Sequence, residues 1–239
     1  VKRRLKVLGV LFGAIVLALL VVYFAAPQWL MRAQVDWQAR RAHLTGKSVQ
    51  AGDTRWSYDE GGKGPALLLL PGYMEDKDVW LPAARYLTPN FHVVIPDLPG
   101  WGDSSRDSAA SYTVEAQAAR LDSFVGTLGL QRFVLVGHSM GGAIAAVYAS
   151  EHPEHVASLA LVDAFGLKGK QNAFDREVLA GRNPFVYDDR ASFERATSLA
   201  FEQPLDLPGR FVDVMVKRNQ RDRAFIERNF NTLRDPSEY

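Results

Sequence analysis

The 239-residue sequence contains no cysteine. Disulfides, thiolate metal sites and a cysteine nucleophile are therefore excluded, while oxidising and reducing compartments both stay open. The chain also lacks an excess of either charge, with 28 Lys and Arg against 27 Asp and Glu and a formal net charge of +1. Without a long basic stretch interleaved with aromatics there is no electrostatic footprint for nucleic acid, and none is expected as a partner. Internal repeats and low-complexity tracts are missing too, so repeat architectures drop out. No cofactor site and no metal site is read from the chain. What remains, 47% hydrophobic and 23% charged, is an ordinary globular composition, long enough for one α/β domain with a sizeable core.

Charge is absent from one long segment, Val7 to Ala26. At ~1.5 Å per helical residue this segment spans roughly the 30 Å hydrocarbon core of a bilayer, which makes it a transmembrane helix candidate. A buried core helix would show a polar face, and this segment has none. A cleavable signal peptide would carry small residues at its processing site, where Tyr23 and Phe24 stand instead. Lys2, Arg3, Arg4 and Lys6 precede the span and Trp29 follows it, favouring a cytoplasmic N-terminus with the globular part outside. Arg32, Arg40 and Arg41 on the far side nearly balance that count. The expected location is a single-pass membrane protein, and in a bacterium the inner membrane with a periplasmic globular part.

Residues 1–27 are thus read as an anchor and 28–47 as a juxtamembrane spacer, with a first packed helix as the equal alternative for Ala33 to His43. Ser48 to Tyr58 reads as a β-hairpin turning at Gly52. Apolar runs of strand length follow at Ala66 to Leu70, Phe91 to Ile95, Phe133 to Val136 and Val156 to Val162, separated by helical periodicity at Thr113 to Leu128 and Met140 to Ser150. Strands alternating with helices imply an α/β fold with a doubly wound, mostly parallel sheet over residues 48–164. Near-continuous apolar runs imply strands covered on both faces. Ligands then bind beyond the carboxyl ends of the strands. Residues 165–239 read as a helical cap, with helices predicted at Ala191 to Phe201, Gly209 to Lys217 and Asp222 to Leu233.

Phe133 to Val136 runs directly into Gly137-His138-Ser139-Met140-Gly141 and then a small-residue helical stretch. This fits the G-x-S-x-G nucleophile elbow, and it makes Ser139 the expected nucleophile. A sharp strand-to-helix turn brings the residues two before and two after the serine together, where side chains would clash, so both positions call for glycine. The backbone N–H of Met140, at the start of the helix, is one expected oxyanion donor. Leu70-Pro71-Gly72-Tyr73-Met74 follows the first parallel strand, and the Tyr73 N–H is the other.

With Asp97-Leu98-Pro99-Gly100-Trp101-Gly102-Asp103-Ser104 after the next strand, the motifs resemble the α/β-hydrolase superfamily in order and spacing. More narrowly, Met74 to Trp80 beside an N-terminal membrane span is similar to the membrane-anchored monoacylglycerol lipases of that superfamily. The resemblance implies hydrolysis of acylglycerols or similar lipid esters, through an acyl-enzyme at Ser139 and under a helical cap, without a cofactor. The partners it implies are a lipid ester substrate and the bilayer. Another ester class, carbon–carbon bond hydrolysis, or a non-catalytic membrane-tethered binding role are the alternatives. Dehalogenase and epoxide hydrolase chemistry is disfavoured, because those relatives carry Asp at the position of Ser139.

The superfamily order of serine, acid, histidine is not completed in this chain. Its histidines are His43, His92, His138, His152 and His155, all read as structural or surface residues. Asp163 is a weak candidate for the acid, with capping of the following turn as the plainer reading. The fold is therefore expected to be C-terminally incomplete, with acid and base beyond the end and the fragment nearly inactive by itself.

Overall fold

The computed structural model describes residues 2–167, 172–203 and 205–234. Contacts group the chain into two compact units, residues 37–185 with 224–239 and residues 1–36 with 186–223.

The first of these units holds a six-stranded sheet. Strands β1 (Leu44–Ala51) and β2 (Thr54–Gly61) form an antiparallel hairpin closed at Gly52, whose φ of +57° suits a residue without a side chain. Next come β3 (Ala66–Leu70), a 3₁₀ turn at Lys77–Trp80, α1 (Leu81–Leu87), β4 (His92–Pro96), α2 (Val114–Leu128), β5 (Phe133–His138), α3 (Met140–Glu151) and β6 (Val156–Val162). The strands lie in the order β1-β2-β4-β3-β5-β6. The β4–β3, β3–β5 and β5–β6 pairs are parallel, and the two pairings of β2 are antiparallel. This is the doubly wound, mostly parallel arrangement that alternating apolar runs and helical periods predict.

Local chemistry sets the element ends. Thr113 caps α2 by accepting from the Ala116 N–H at 3.2 Å, and Gly129, at φ +66°, ends it in the left-handed conformation. Leu121, Phe124 and Val125 on the inner face of α2 are fully buried. Phe124 stacks on Trp56 of β2 with centroids 4.5 Å apart. Such burial of an aromatic side chain contributes on the order of 2–3 kcal/mol.

Strands β3 and β4 are buried from their second residue onward, as strands covered on both faces should be. At β6 the expectation fails. Its residues after Val156 are exposed, Leu159 at 38% and Leu161 at 37%, because β6 is an edge strand and no described strand pairs with its outer side.

The other unit contains α4 (Lys2–Ala25), a helix long and apolar enough to cross a membrane, with none of its residues buried. Ala26 interrupts it and Pro27 opens α5 (Pro27–Arg41), proline being suited to a first helical turn. The stretch left open between spacer and first helix is thus helical. The sheet's unit also holds α6 (Ala173–Leu179); in the other unit α7 (Arg190–Ala200) starts on a capping box between Asp189 and Ser192. Phe193 of α7 packs with Val212 and Val216 of α8 (Gly209–Arg234).

One sequence expectation is corrected here. The two helices predicted at Gly209–Lys217 and Asp222–Leu233 are a single helix, since the polar residues between them include neither glycine nor proline. Asn219, read as part of a gap, is buried, and its Oδ1 accepts the Tyr187 N–H at 3.1 Å.

Candidate active site

Three loops leave the carboxyl ends of adjacent strands, after Leu70 of β3, Pro96 of β4 and His138 of β5. The last is a sharp turn into α3. Ser139 occupies it with φ +51° and ψ −119°, a strained conformation for a residue with a side chain. The turn is held by its backbone. The Ser139 N–H donates to the Val162 carbonyl at 3.0 Å, and the Ser139 carbonyl accepts from Gly142 and Phe165, each at 2.9 Å.

The glycine spacing has the steric cause expected of it. A Cβ on Gly137 would run into the Gly141 carbonyl, and one on Gly141 into the Pro71 carbonyl. One on Gly142 would lie 2.6 Å from the Ala164 Cβ. Real Cβ atoms do not approach that closely, so bare backbone is the way this strand, helix and loop can meet.

The loop after β3 abuts the serine, since a Cβ on Gly72 would sit 3.1 Å from the Ser139 Cβ. Tyr73 and Met140 are both buried. Neither backbone N–H has an acceptor among the described residues. Met140 opens α3, where a helix leaves its first amides unpaired, and Tyr73 lies in a tight turn followed by Met74 at φ +62°. The Tyr73 phenol donates to the Ile226 carbonyl at 2.5 Å and fixes the ring; burial pushes its pKa up.

Glu75 is a member of this site to which the sequence assigned no role. One of its carboxylate oxygens accepts the Gly72 N–H at 2.6 Å and lies 2.9 Å from His138 Nδ1. It therefore ties the loop after β3 to the residue before Ser139. The hydrogen bond His138 makes to the Glu75 carboxylate raises the His138 pKa, with burial opposing and the charges of Glu75 and Asp163 adding. No local pattern could have signalled the pair, because its members lie 63 positions apart.

The loop after β4 is built around Asp97, which is fully buried. Its carboxylate accepts from the Lys77 N–H and Nζ, both at 2.7 Å, and from the Asp103 N–H at 2.9 Å. Gly102, at φ +55°, leaves room for that carboxylate, and Ser104 Oγ donates to the Asp97 carbonyl at 2.8 Å. The D-x-P-G-x-G-x-S segment is thus a buried polar knot that shapes the rim of the site. Burial opposes the charge on Lys77, but Asp97, Asp103 and Asp59 outweigh it and hold its pKa above the ordinary value. Nearby, burial together with Asp76 pushes the Asp78 carboxyl up to about 7.

Beside Ser139 lies a narrow apolar cleft of about 40 Å³, lined by Tyr73, Met140, Phe165, Phe174, Phe185 and Phe230 among others. A cleft of this size is far below the roughly 300–1,000 Å³ of a ligand pocket, so the conformation described does not itself hold an acyl chain.

The histidines are placed as follows. His92 pairs with Glu60 at 2.6 Å on the sheet, while His152 and His155 lie beside Asp122 at the far end of α3. His43 is exposed. Among the described residues, none of them and no other side chain hydrogen-bonds the Ser139 hydroxyl. Asp163 directly follows β6 at φ +45°, and its carboxylate receives no hydrogen bond among the described residues. The capping role read for Asp163 is therefore not seen, because no amide of the following turn reaches it.

Comparison with known proteins agrees with this architecture. A family model described as the alpha/beta hydrolase fold matches residues 65–224. A monoacylglycerol lipase of Xenopus laevis is 35% identical over 156 residues, which cover 63% of this chain and 46% of that protein. Lipase 1 of Psychrobacter immobilis is 32% identical over 203 residues, covering 81% and 63%. The chain spans about half the length of the monoacylglycerol lipases it matches. A solved structure described as a membrane phospholipase A, a bacterial virulence factor, superposes with a TM-score of 0.83 at 38% identity, covering 98% of this chain and 75% of that one. With the sheet order, the strand-to-helix turn at Ser139 and the family match in agreement, the chain belongs to the α/β-hydrolase family.

Proposed function

We propose that the whole protein is a membrane-anchored serine hydrolase that cleaves lipid esters, acylglycerols or close relatives, through an acyl-enzyme at Ser139. The observation that carries this reading is the pair of backbone amides of the buried residues Tyr73 and Met140 beside Ser139, neither with an acceptor among the described residues. Buried N–H groups without partners are rare in folded proteins, and two of them flanking a strained serine suit an oxyanion.

In the proposed reaction Ser139 Oγ attacks the ester carbonyl and transfers its proton to a general base. The carbonyl oxygen, now carrying the negative charge, accepts hydrogen bonds from Tyr73 and Met140. Collapse expels the alcohol, and water then releases the acid from the acyl-enzyme by the same route. Each oxyanion donor is worth on the order of 3 kcal/mol in the transition state. Asp163, just after β6, is the candidate for the acid within this chain. The aromatic cleft beside Ser139 supports an acyl chain as the apolar part of the substrate.

Two features support lipid as its source. One is α4, apolar over a membrane-crossing length, and the other is the naming of its relatives as lipases and of a structural neighbour as a membrane phospholipase. Within the unit that contains α4, a cavity of about 900 Å³ is lined by Phe24 and Ala25 at the end of that helix, by Arg190, Arg210, Lys217 and Arg221, and by Asp188, Asp189 and Asp213. A periplasmic globular part in a bacterium remains the proposed topology.

The test is labelling of the full-length protein by a fluorophosphonate probe, expected to be complete in the wild type and lost in Ser139→Ala. Retained labelling in Ser139→Ala would overturn the assignment. A panel of monoacylglycerols, short esters and ring-cleavage diketones then separates lipid esterase from the alternative reactions. Labelled protein inert on the whole panel would point to the binding role.

A further inference from the structure

We propose that Asp122, His152 and His155 form a binding site for a divalent transition-metal ion of the zinc class. The sequence reading assigned these residues no ligand role. They lie near the amino end of β6, whereas Ser139 follows the carboxyl end of the parallel neighbour β5, so the site stands at the opposite end of the sheet from the serine.

The backbone brings the histidines together. His152 ends α3 with its N–H on the Tyr148 carbonyl at 2.9 Å, and the His155 N–H donates to the His152 carbonyl at 3.1 Å across a tight turn. The His155 carbonyl in turn accepts the Phe133 N–H at 2.9 Å, which fixes the turn to the start of β5. Asp122 comes from the neighbouring helix α2. Each of the three offers a ligand atom within 4.8 Å of the other two, and all are half-buried.

The spacing of His152 and Asp122 is compatible with two ligands of one ion. Histidine meets carboxylate at hydrogen-bond distance in two other pairs, 2.6 Å for His92 with Glu60 and 2.9 Å for His138 with Glu75, while His152 Nδ1 stands 3.8 Å from Glu154. His152 Nε2 stands 3.7 Å from Asp122 Oδ1. Two ligands of a tetrahedral zinc ion, each bonded at ~2.0–2.1 Å, lie about 3.3–3.4 Å apart. The observed separation is thus too long for a charge-assisted hydrogen bond and a few tenths of an ångström from that of two metal ligands.

The surroundings fit as well. The fully buried Tyr148 places its hydroxyl 2.9 Å from His155 Nδ1 and 3.5 Å from Asp122 Oδ1. A hydroxyl within hydrogen-bond reach of two of the three residues is the kind of outer group that orients metal ligands. Two imidazoles and one carboxylate favour zinc, cobalt, nickel or copper over calcium and magnesium, which take all-oxygen sets. At this position the ion would tie α2 and the end of α3 to the start of β6, a structural staple.

The experiment titrates ZnCl₂ into metal-free, full-length protein in detergent, followed by calorimetry and thermal unfolding. Co²⁺ serves as the spectroscopic probe. The expected result is one equivalent bound per chain, a rise in Tm with ion concentration, and the visible absorption of a nitrogen-ligated Co²⁺ site. His152→Gln, His155→Gln and Asp122→Asn should each weaken binding at least about ten-fold, while His92→Gln should not. Fluorophosphonate labelling at Ser139 is expected unchanged in all of them, which keeps this test apart from the catalytic one. No saturable binding by the folded wild type, no nitrogen-ligated Co²⁺ spectrum, or binding indifferent to the three substitutions would overturn the site.

Discussion

Removing the Glu75 side chain tests whether the loop carrying Tyr73 is held in place for catalysis. In Glu75→Ala the Gly72 amide loses its acceptor at 2.6 Å and His138 loses its partner at 2.9 Å. A hydrogen bond to a charged group contributes ~1.5–3 kcal/mol. Both side chains of the His138–Glu75 pair are 28% exposed, which argues for the lower end. Complete loss of one oxyanion donor costs about 10²–10³ in kcat. The loop keeps its Glu75 N–H to Gly72 carbonyl bond at 3.3 Å and the Tyr73 phenol anchor, so only part of that loss is expected. We expect kcat on a chromogenic ester to fall about 10- to 100-fold with KM nearly unchanged. Glu75→Gln, which keeps an acceptor oxygen, should recover most of it. The same pair has a pH signature. His138 has a raised pKa in the folded protein, so its contribution to stability is complete below the unfolded value of 6.5 and is lost as pH rises through the folded one. The gap in Tm between wild type and Glu75→Gln should therefore be wider at pH 5.5 than at pH 9. Equal kcat in Glu75→Ala and wild type, or a Tm gap that widens with pH, would refute the reasoning.

Two further outcomes follow from the buried charges. Lys77→Met leaves the fully buried Asp97 carboxylate without its ammonium partner and should destabilise the fold by about 3–5 kcal/mol in urea unfolding, with partial recovery on adding Asp97→Asn. For Asp78, the folded pKa of about 7 lies above the unfolded value of 3.8, so folding takes up a proton between the two and stability falls as pH rises through that window. Asp78→Asn mimics the protonated form. Its Tm should match wild type near pH 4 and exceed it by pH 8, and a constant difference across that range would count against the buried-acid reading.

The sequence by itself determined the strands, most helices and the turn at Ser139, because each is a local matter. Apolar period, caps and glycine spacing act over a few residues, and at Gly137 and Gly141 the steric demand of the turn is written directly into the chain. The join of α8 at Arg218 to Arg221 was misread for the converse reason. A polar stretch in a helix looks like a gap until a tertiary partner such as Tyr187 for Asn219 is known. Only the tertiary structure decided which distant residues meet. It set Glu75 on His138, Lys77 on Asp97, and Asp122 beside His152 and His155. It also left β6 exposed where its apolar run implied cover. Such pairings depend on the order in which strands assemble into the sheet and on helix packing across it, and no residue carries that information in its own neighbourhood.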